Sequence, residues 1–185
     1  SKKDSFIYEN FLVKTDNDFF YYVSNKNKAI RKYYFDFTKG NEIGKKESSK
    51  NIVSNKISVG TFSNYSNYKN SIKDVIYYQG KLYVLDAPYK RILVFSNEKF
   101  EKNLTNEKLS QGITSMSIFN NKIYLIDSNN YYGYKCDMNL KVEKEINFAK
   151  LGYKPLKISE KYLILAKYSN YFIEDRIVVD INTIF

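Results

Sequence analysis

Histidine is absent from this chain and cysteine occurs once, at Cys136. A Ser-His-Asp relay, a Cys-His pair and imidazole metal ligation are therefore out of reach, as are an internal disulfide and a thiolate cluster. The seven glycines stand singly, so no glycine-rich phosphate loop is present. What remains for chemistry is carboxylates, lysines and tyrosines. Asp86 and Asp127 are the first candidates, because each ends a strongly apolar run and is expected at a rim where a cation or polar ligand could be met. Arg91, five residues beyond Asp86, is a candidate beside it. Tyr131 and Tyr132, close to Lys135, have the aromatic and basic interleaving that stacks sugars or bases. Each candidate has a plainer reading, which its residue type favours. An aspartate at a strand end caps the turn by accepting backbone N–H bonds, and a tyrosine in a strand-rich chain packs its ring and leaves its hydroxyl wet. Cys136 lies in an apolar run and reads as a small core residue. No catalytic residue, metal ligand or cofactor is assigned.

The elements that must position these groups are strands. Tyr (19) and Phe (13) are abundant, and Ala occurs only at 29, 87, 149 and 166. Aromatic side chains suit a pleated, half-buried surface, whereas a chain poor in Ala is a weak helix former. The 43% hydrophobic content over 185 residues suffices for one core, so a single domain spanning 1–185 is expected. Nothing approaches the ~18 uninterrupted apolar residues of a membrane span.

The formal charge is +10, from 30 basic and 20 acidic residues. Only Arg31, Arg91 and Arg176 among the basic residues are arginine. Bidentate recognition of bases and phosphates favours arginine, so a dispersed lysine excess argues against nucleic acid as the partner. An anionic polymer or lipid stays open as a lysine-based partner. The opening Ser1-Lys2-Lys3-Asp4 suits a tether behind a cleaved export or lipoprotein signal, which leans the expected location outside the cytoplasm.

A repeat of about forty residues organises the chain. Asp74 to Asp86 and Ser115 to Asp127 share one pattern: strand, two-residue turn, lysine, apolar strand, aspartate. Gln79-Gly80 and Asn120-Asn121 supply turns that tolerate positive φ. A third copy runs from Leu156 through a turn at Ser159-Glu160 to Ala166, and a weaker one from Phe11 to Val23. Third strands are expected at Ala29 to Phe37, Arg91 to Phe95, Tyr132 to Cys136 and Arg176 to Ile181. Shorter fourth strands are expected at Phe100 to Leu104 and Val142 to Ile146. The polar stretch at about 39–70 reads as an insertion. Leu82-Tyr83-Val84-Leu85 and Ile123-Tyr124-Leu125-Ile126 are apolar on both faces. A sheet covered on one side only would alternate apolar and polar residues, so these strands are expected to lie between two neighbouring sheets.

Leu82-Tyr83-Val84-Leu85-Asp86 followed by Arg91-Ile92-Leu93-Val94-Phe95 resembles the NHL-type repeat of six-bladed β-propellers. The likeness is good across 74–104 and fair across 115–146. Ala87-Pro88-Tyr89-Lys90 replaces the usual Gly/Asn turn, and Ser24 and Lys167 stand where aspartate is expected. The resemblance implies an all-β propeller of four-stranded antiparallel blades. About four blades are visible, as a closed ring, a fragment of a longer propeller, or a partial ring completed by another copy. Ser5-Phe6-Ile7-Tyr8 is expected to add the missing outer strand beside Arg176 to Ile181. Propellers host enzymes and binding modules alike. With the catalytic groups so restricted, a non-enzymatic binding or scaffold module facing a protein or an envelope polymer is the expected function, and a protein the expected partner. A carboxylate- or cation-dependent lyase or hydrolase is the alternative, favoured if three or more acids converge at one end of the central channel.

Overall fold

A computed structural model describes residues 6–34, 45–50, 68–97, 99–169 and 172–185. They form four antiparallel sheets in chain order. Blade 1 is β1 (Asn10–Lys14), β2 (Phe19–Ser24), β3 (Ala29–Tyr34) and β4 (Lys45–Lys50). Blade 2 is β5 (Ile72–Tyr78), β6 (Lys81–Asp86), β7 (Arg91–Ser96) and β8 (Lys99–Thr105). Blade 3 is β9 (Ser115–Phe119), β10 (Lys122–Asp127), β11 (Tyr132–Cys136) and β12 (Val142–Asn147). Blade 4 has β13 (Tyr153–Ser159), β14 (Tyr162–Ser169) and β15 (Phe172–Asp180). Each strand pairs with the one before it, so every blade is a simple meander. No helix among the described residues is long and apolar enough to cross a membrane.

The hairpin turns have the backbone their residues permit. Gln79, Gly80, Asn120 and Asn121 all have φ between 48° and 80°, the left-handed region a two-residue hairpin requires. In blade 4 the pairing of Ser159 with Tyr162 puts the turn at Glu160-Lys161, one residue later than the sequence pattern suggests. In blade 1 the polar run Lys45–Lys50 pairs with β3 as the outer strand, so part of the stretch read as an insertion belongs to the blade. An edge strand needs no apolar alternation, and KKESSK offered none. Residues 39–44 and 51–67 of that stretch lie outside the described residues.

The core lies between blades. The second strands are covered on both faces: Leu82 to Leu85 and Ile123 to Ile126 are all at most 7% exposed. Side-chain alternation divides each second strand between two neighbours. Tyr21 and Val23 of β2 face Val75, Leu82 and Val84 of blade 2. Tyr83 and Leu85 of β6 face Met116, Ile123 and Leu125 of blade 3. Tyr124 and Ile126 of β10 face Ile158, Leu163 and Leu165 of blade 4. The third and fifth residues of a second strand thus face the following blade, and the second and fourth face the preceding one.

The expected closure by Ser5 to Tyr8 is not found. Ser5 lies outside the described residues; among them, Phe6, Ile7 and Tyr8 are not in a strand and blade 4 has three strands. This segment is held elsewhere: the Asn70 side chain donates to the Ile7 carbonyl at 3.2 Å and accepts from the Glu9 N–H at 3.0 Å. Backbone groups satisfied by Asn70 have no need of a partner strand.

Candidate functional site in the central channel

The first strands, β1, β5, β9 and β13, converge on a cavity of about 440 Å³. Its charged lining groups are Lys14, Asp74, Lys157 and Glu160, with Ser117, Ser159, Tyr77 and Tyr78 among the polar groups and Leu12 and Ile76 among the apolar ones. Lys14, Lys157 and Glu160 are exposed, so their charges face water in the mouth. Asp74 is different. Its Oδ2 accepts from the Met116 N–H at 2.9 Å and its Oδ1 from the Val75 N–H at 2.9 Å. Burial pushes its carboxyl up to about 6, against the lowering pull of those two N–H donors and of Lys157.

Polar side chains, two of them on first strands, also tie each blade to the next. Asp74, one residue before Val75, reaches blade 3 through Met116. Ser115, one residue before Met116, reaches blade 4, donating to the Ile158 carbonyl and accepting from its N–H, both at 3.1 Å. Between blades 1 and 2 the link is Asn25: its amide donates to the Glu9 and Ile72 carbonyls, and its oxygen accepts from the Ile72 N–H. Lys28 Nζ bonds the same Asn25 oxygen and Ser71 Oγ, both at 2.9 Å. Burial draws this ammonium down to about 8, partly offset by the charge of Asp86.

The residues singled out from sequence lie away from the channel. Asp86 and Asp127 end the second strands, not the channel-lining first strands, and both are fully buried. Asp86 Oδ2 receives Arg91 Nε and the terminal Arg91 nitrogen Nη2, each at 2.7 Å, across the β6–β7 turn. Arg91 is itself 1% exposed. Asp127 Oδ1 accepts from the Asn129 and Asn130 N–H groups, while Oδ2 accepts from Ser110 Oγ and the Asn130 amide. Tyr131 has φ 59° at a strand junction, and Lys154 Nζ lies 5.5 Å from its ring centre. Tyr132 is half-buried against Tyr134, with ring centres 5.4 Å apart. No group of three or more potential metal ligands occurs among the described residues.

Asp74, Lys14, Lys157 and Glu160 escaped the sequence reading as a set because they come from three hairpins scattered over the chain. A signal existed for Asp74 alone: the repeat begins on a polar residue in two copies, Asp74 and Ser115, just before an otherwise apolar strand.

No protein-family description matches the sequence, and no curated protein matches it. Solved structures do. The WD40 domain of Pan2 from Neurospora crassa superposes with TM-score 0.54 at 11% identity, over 91% of this chain and 48% of that one. Glutaminyl cyclase from Myxococcus xanthus gives 0.55 at 12% identity, over 94% and 75%. Streptogramin B lyase gives 0.54 at 9% identity, over 91% and 53%. The chain adopts the β-propeller fold, with four blades among the described residues, and spans about half the length of the Pan2 domain and of the lyase.

Proposed function

We propose that this chain is a non-enzymatic binding module whose channel mouth receives a protein segment or an envelope polymer. One observation carries the reading: Lys14, Lys157, Ser159 and Glu160 are exposed together around a cavity that also offers Leu12 and tyrosine rings. Charged, hydrogen-bonding and apolar groups converging on one concavity suit recognition of an extended chain. The buried acids support it too, since Asp86 and Asp127 are engaged in holding turns rather than presented to a ligand. The NHL-type character of blade 2, resting on Leu82 to Asp86 and Arg91 to Phe95, belongs to the same reading. The test is capture by the immobilised chain and by a Lys14→Glu/Lys157→Glu variant. A partner held by the first and released by the second supports the proposal. Equal retention by both, or repeated failure to enrich any partner, overturns it. If the partner is an anionic polymer, its affinity falls steeply with added salt.

A second reading draws on Asp74. A carboxyl held near pH 6 on a cavity wall is suited to proton transfer, and two of the structures sharing the fold are a cyclase and a lyase. Against it, Asp74 and Glu160 are the only two acids among the described lining residues, fewer than the three expected of a carboxylate-based site. Activity abolished by Asp74→Asn with the fold intact would favour this reading over the first.

A further inference from the structure

The connecting segments give the propeller two unlike ends. At one end lie the segments entering the first strands, 6–9, 68–71, 106–114 and 148–152, and the turns between second and third strands, 25–28, 87–90 and 128–131. Contacts join them into one surface. Asn25 donates to the Glu9 carbonyl, the Ala87 N–H to the Ser71 carbonyl and the Gln111 amide to the Pro88 carbonyl. The Ser128 N–H donates to Thr114 Oγ1, and the Phe148 N–H to the Tyr131 carbonyl. These segments carry Lys26, Lys28, Lys69, Lys90, Lys108 and Lys150 against two acids, Glu9 and Glu107. The turns between first and second strands, at the other end, have the opposite balance: Asp16, Asp18 and Glu160 against Lys161. The lysine-rich surface also exposes apolar groups. Among the described residues, Phe6, Ile7, Tyr68 and Leu151 are 42%, 84%, 40% and 59% exposed there. Ile7, Tyr68 and Leu151 stand just before β1, β5 and β13, so they mark the same end of three blades. Lysines flank them: Lys69 follows Tyr68 and sets Nζ 4.7 Å from the Phe6 ring centre, and Lys150 precedes Leu151.

We propose that this surface docks the propeller onto an anionic lipid bilayer, with Ile7 and Leu151 entering the headgroup region and the lysines meeting lipid phosphates. Charge complementarity and the apolar tips together select that occupant. Each lysine near an anionic membrane adds electrostatic attraction, and buried apolar side chains supply the second signal that stable surface binding needs. Single apolar side chains on separate loops insert into a fluid interface, whereas a protein would need a matching pocket for each. The Tyr68 ring, set against that of Tyr89 with centres 5.5 Å apart, suits the headgroup level, where an aromatic body and a polar tip are both satisfied. Nucleic acid fits less well, because the seven segments contain no arginine and the neighbouring Arg91 is buried against Asp86. In this pose the cavity mouth, beside Lys14 and Glu160 at the opposite end, faces away from the lipid and stays open to its own partner. Docking and partner capture are thus separate properties, and either can fail alone.

Co-sedimentation of the whole chain with vesicles tests this, using phosphatidylcholine alone and an equal mixture of phosphatidylcholine and phosphatidylglycerol. Binding is expected to the mixed vesicles and not to the neutral ones, and to weaken as salt is raised. Lys69→Glu/Lys150→Glu is expected to weaken it by about tenfold or more. Lys99→Glu/Lys161→Glu makes the same change in net charge at the other end and is expected to cost less than about threefold, because screening confines the attraction to charges near the lipid. Ile7→Asp/Leu151→Asp is expected to weaken binding by about tenfold or more through the lost apolar contact. Circular dichroism and the thermal midpoint verify the fold, and Ile7→Ser/Leu151→Ser replaces the aspartate pair if that variant unfolds. No binding to the mixed vesicles, equal binding to both kinds, equal weakening by the two lysine pairs, or indifference to the Ile7 and Leu151 changes overturns the proposal. Soluble polyphosphate bound as tightly as the mixed vesicles, at matched phosphate concentration, assigns the surface to a polyanion and overturns it too.

Discussion

Asp74, half-buried, and Asp86, fully buried, are both carboxyls on blade 2, and their surroundings divide their behaviour. Asp86 has a guanidinium against it, and Arg91 has almost no exposure of its own. Asp86→Ala takes away the carboxylate to which Arg91 donates and leaves a buried cation. The expected loss is about 3–5 kcal/mol in urea unfolding, the range for breaking one partner from a buried pair. Asp74 has backbone N–H donors and is pushed up to about 6 from 3.8 by burial. A carboxyl whose folded value is raised holds its proton longer in the folded than in the unfolded chain. Its contribution is therefore most favourable below about pH 4, falls as pH rises from about 4 to about 6, and is constant above that. Asp74→Asn is expected to abolish this dependence, whose full extent is at most roughly 3 kcal/mol. Unfolding free energies of the two proteins across that window provide the check, and parallel curves would contradict it.

Among the elements, the third strand of blade 3 shows how closely strands and turns are fitted. Gly133 pairs with Ile126 on one side and Ile146 on the other. A Cβ there would stand 2.6 Å from the Phe148 ring and 3.0 Å from that of Phe185. Phe148 lies in the 3-10 turn after β12 and is fully buried, so it has little room to retreat. Gly133→Ala is expected to cost about 1–3 kcal/mol by overpacking, read as a lowered denaturant midpoint with unchanged slope. At Gly80 the reason for glycine is different: space is open, but φ is 80°. The edge strands obey a looser rule. KKESSK forms β4 by backbone pairing to β3, with no apolar pattern to announce it.

For the whole molecule, stability resides between blades more than within them. A single antiparallel sheet cannot cover its own two faces, and the three apolar clusters each draw side chains from adjacent blades. Cys136 reports on this. It is fully buried in the cluster between blades 2 and 3, and burial pushes its thiol up to about 12. A thiol reagent at neutral pH is expected to label it only when those blades separate, so its labelling rate should follow global unfolding in denaturant. Fast labelling of the native protein would show that blade 3 opens alone. Leu12 occupies the register position of Val75 and Met116, which are buried against a preceding blade, whereas Leu12 is exposed.

The blades were legible in the residues because local chemistry writes them plainly. Gln-Gly and Asn-Asn turns fix the hairpins, and second strands apolar at every position require cover on both sides, which a stack of sheets provides. Those signals act over a few residues and repeat, so they survive in the linear order. The position of the channel does not. Asp86 and Asp127 looked like rim residues because they end conspicuous strands, yet the strand that lines the channel is the first of each hairpin, whose residues are more mixed. Whether a charged side chain meets water or an arginine depends on strand order and blade packing. Lys14, Asp74 and the Lys157–Glu160 hairpin come to line one cavity only when four sheets stack around one axis, because that convergence is set by long-range packing rather than by spacing along the chain.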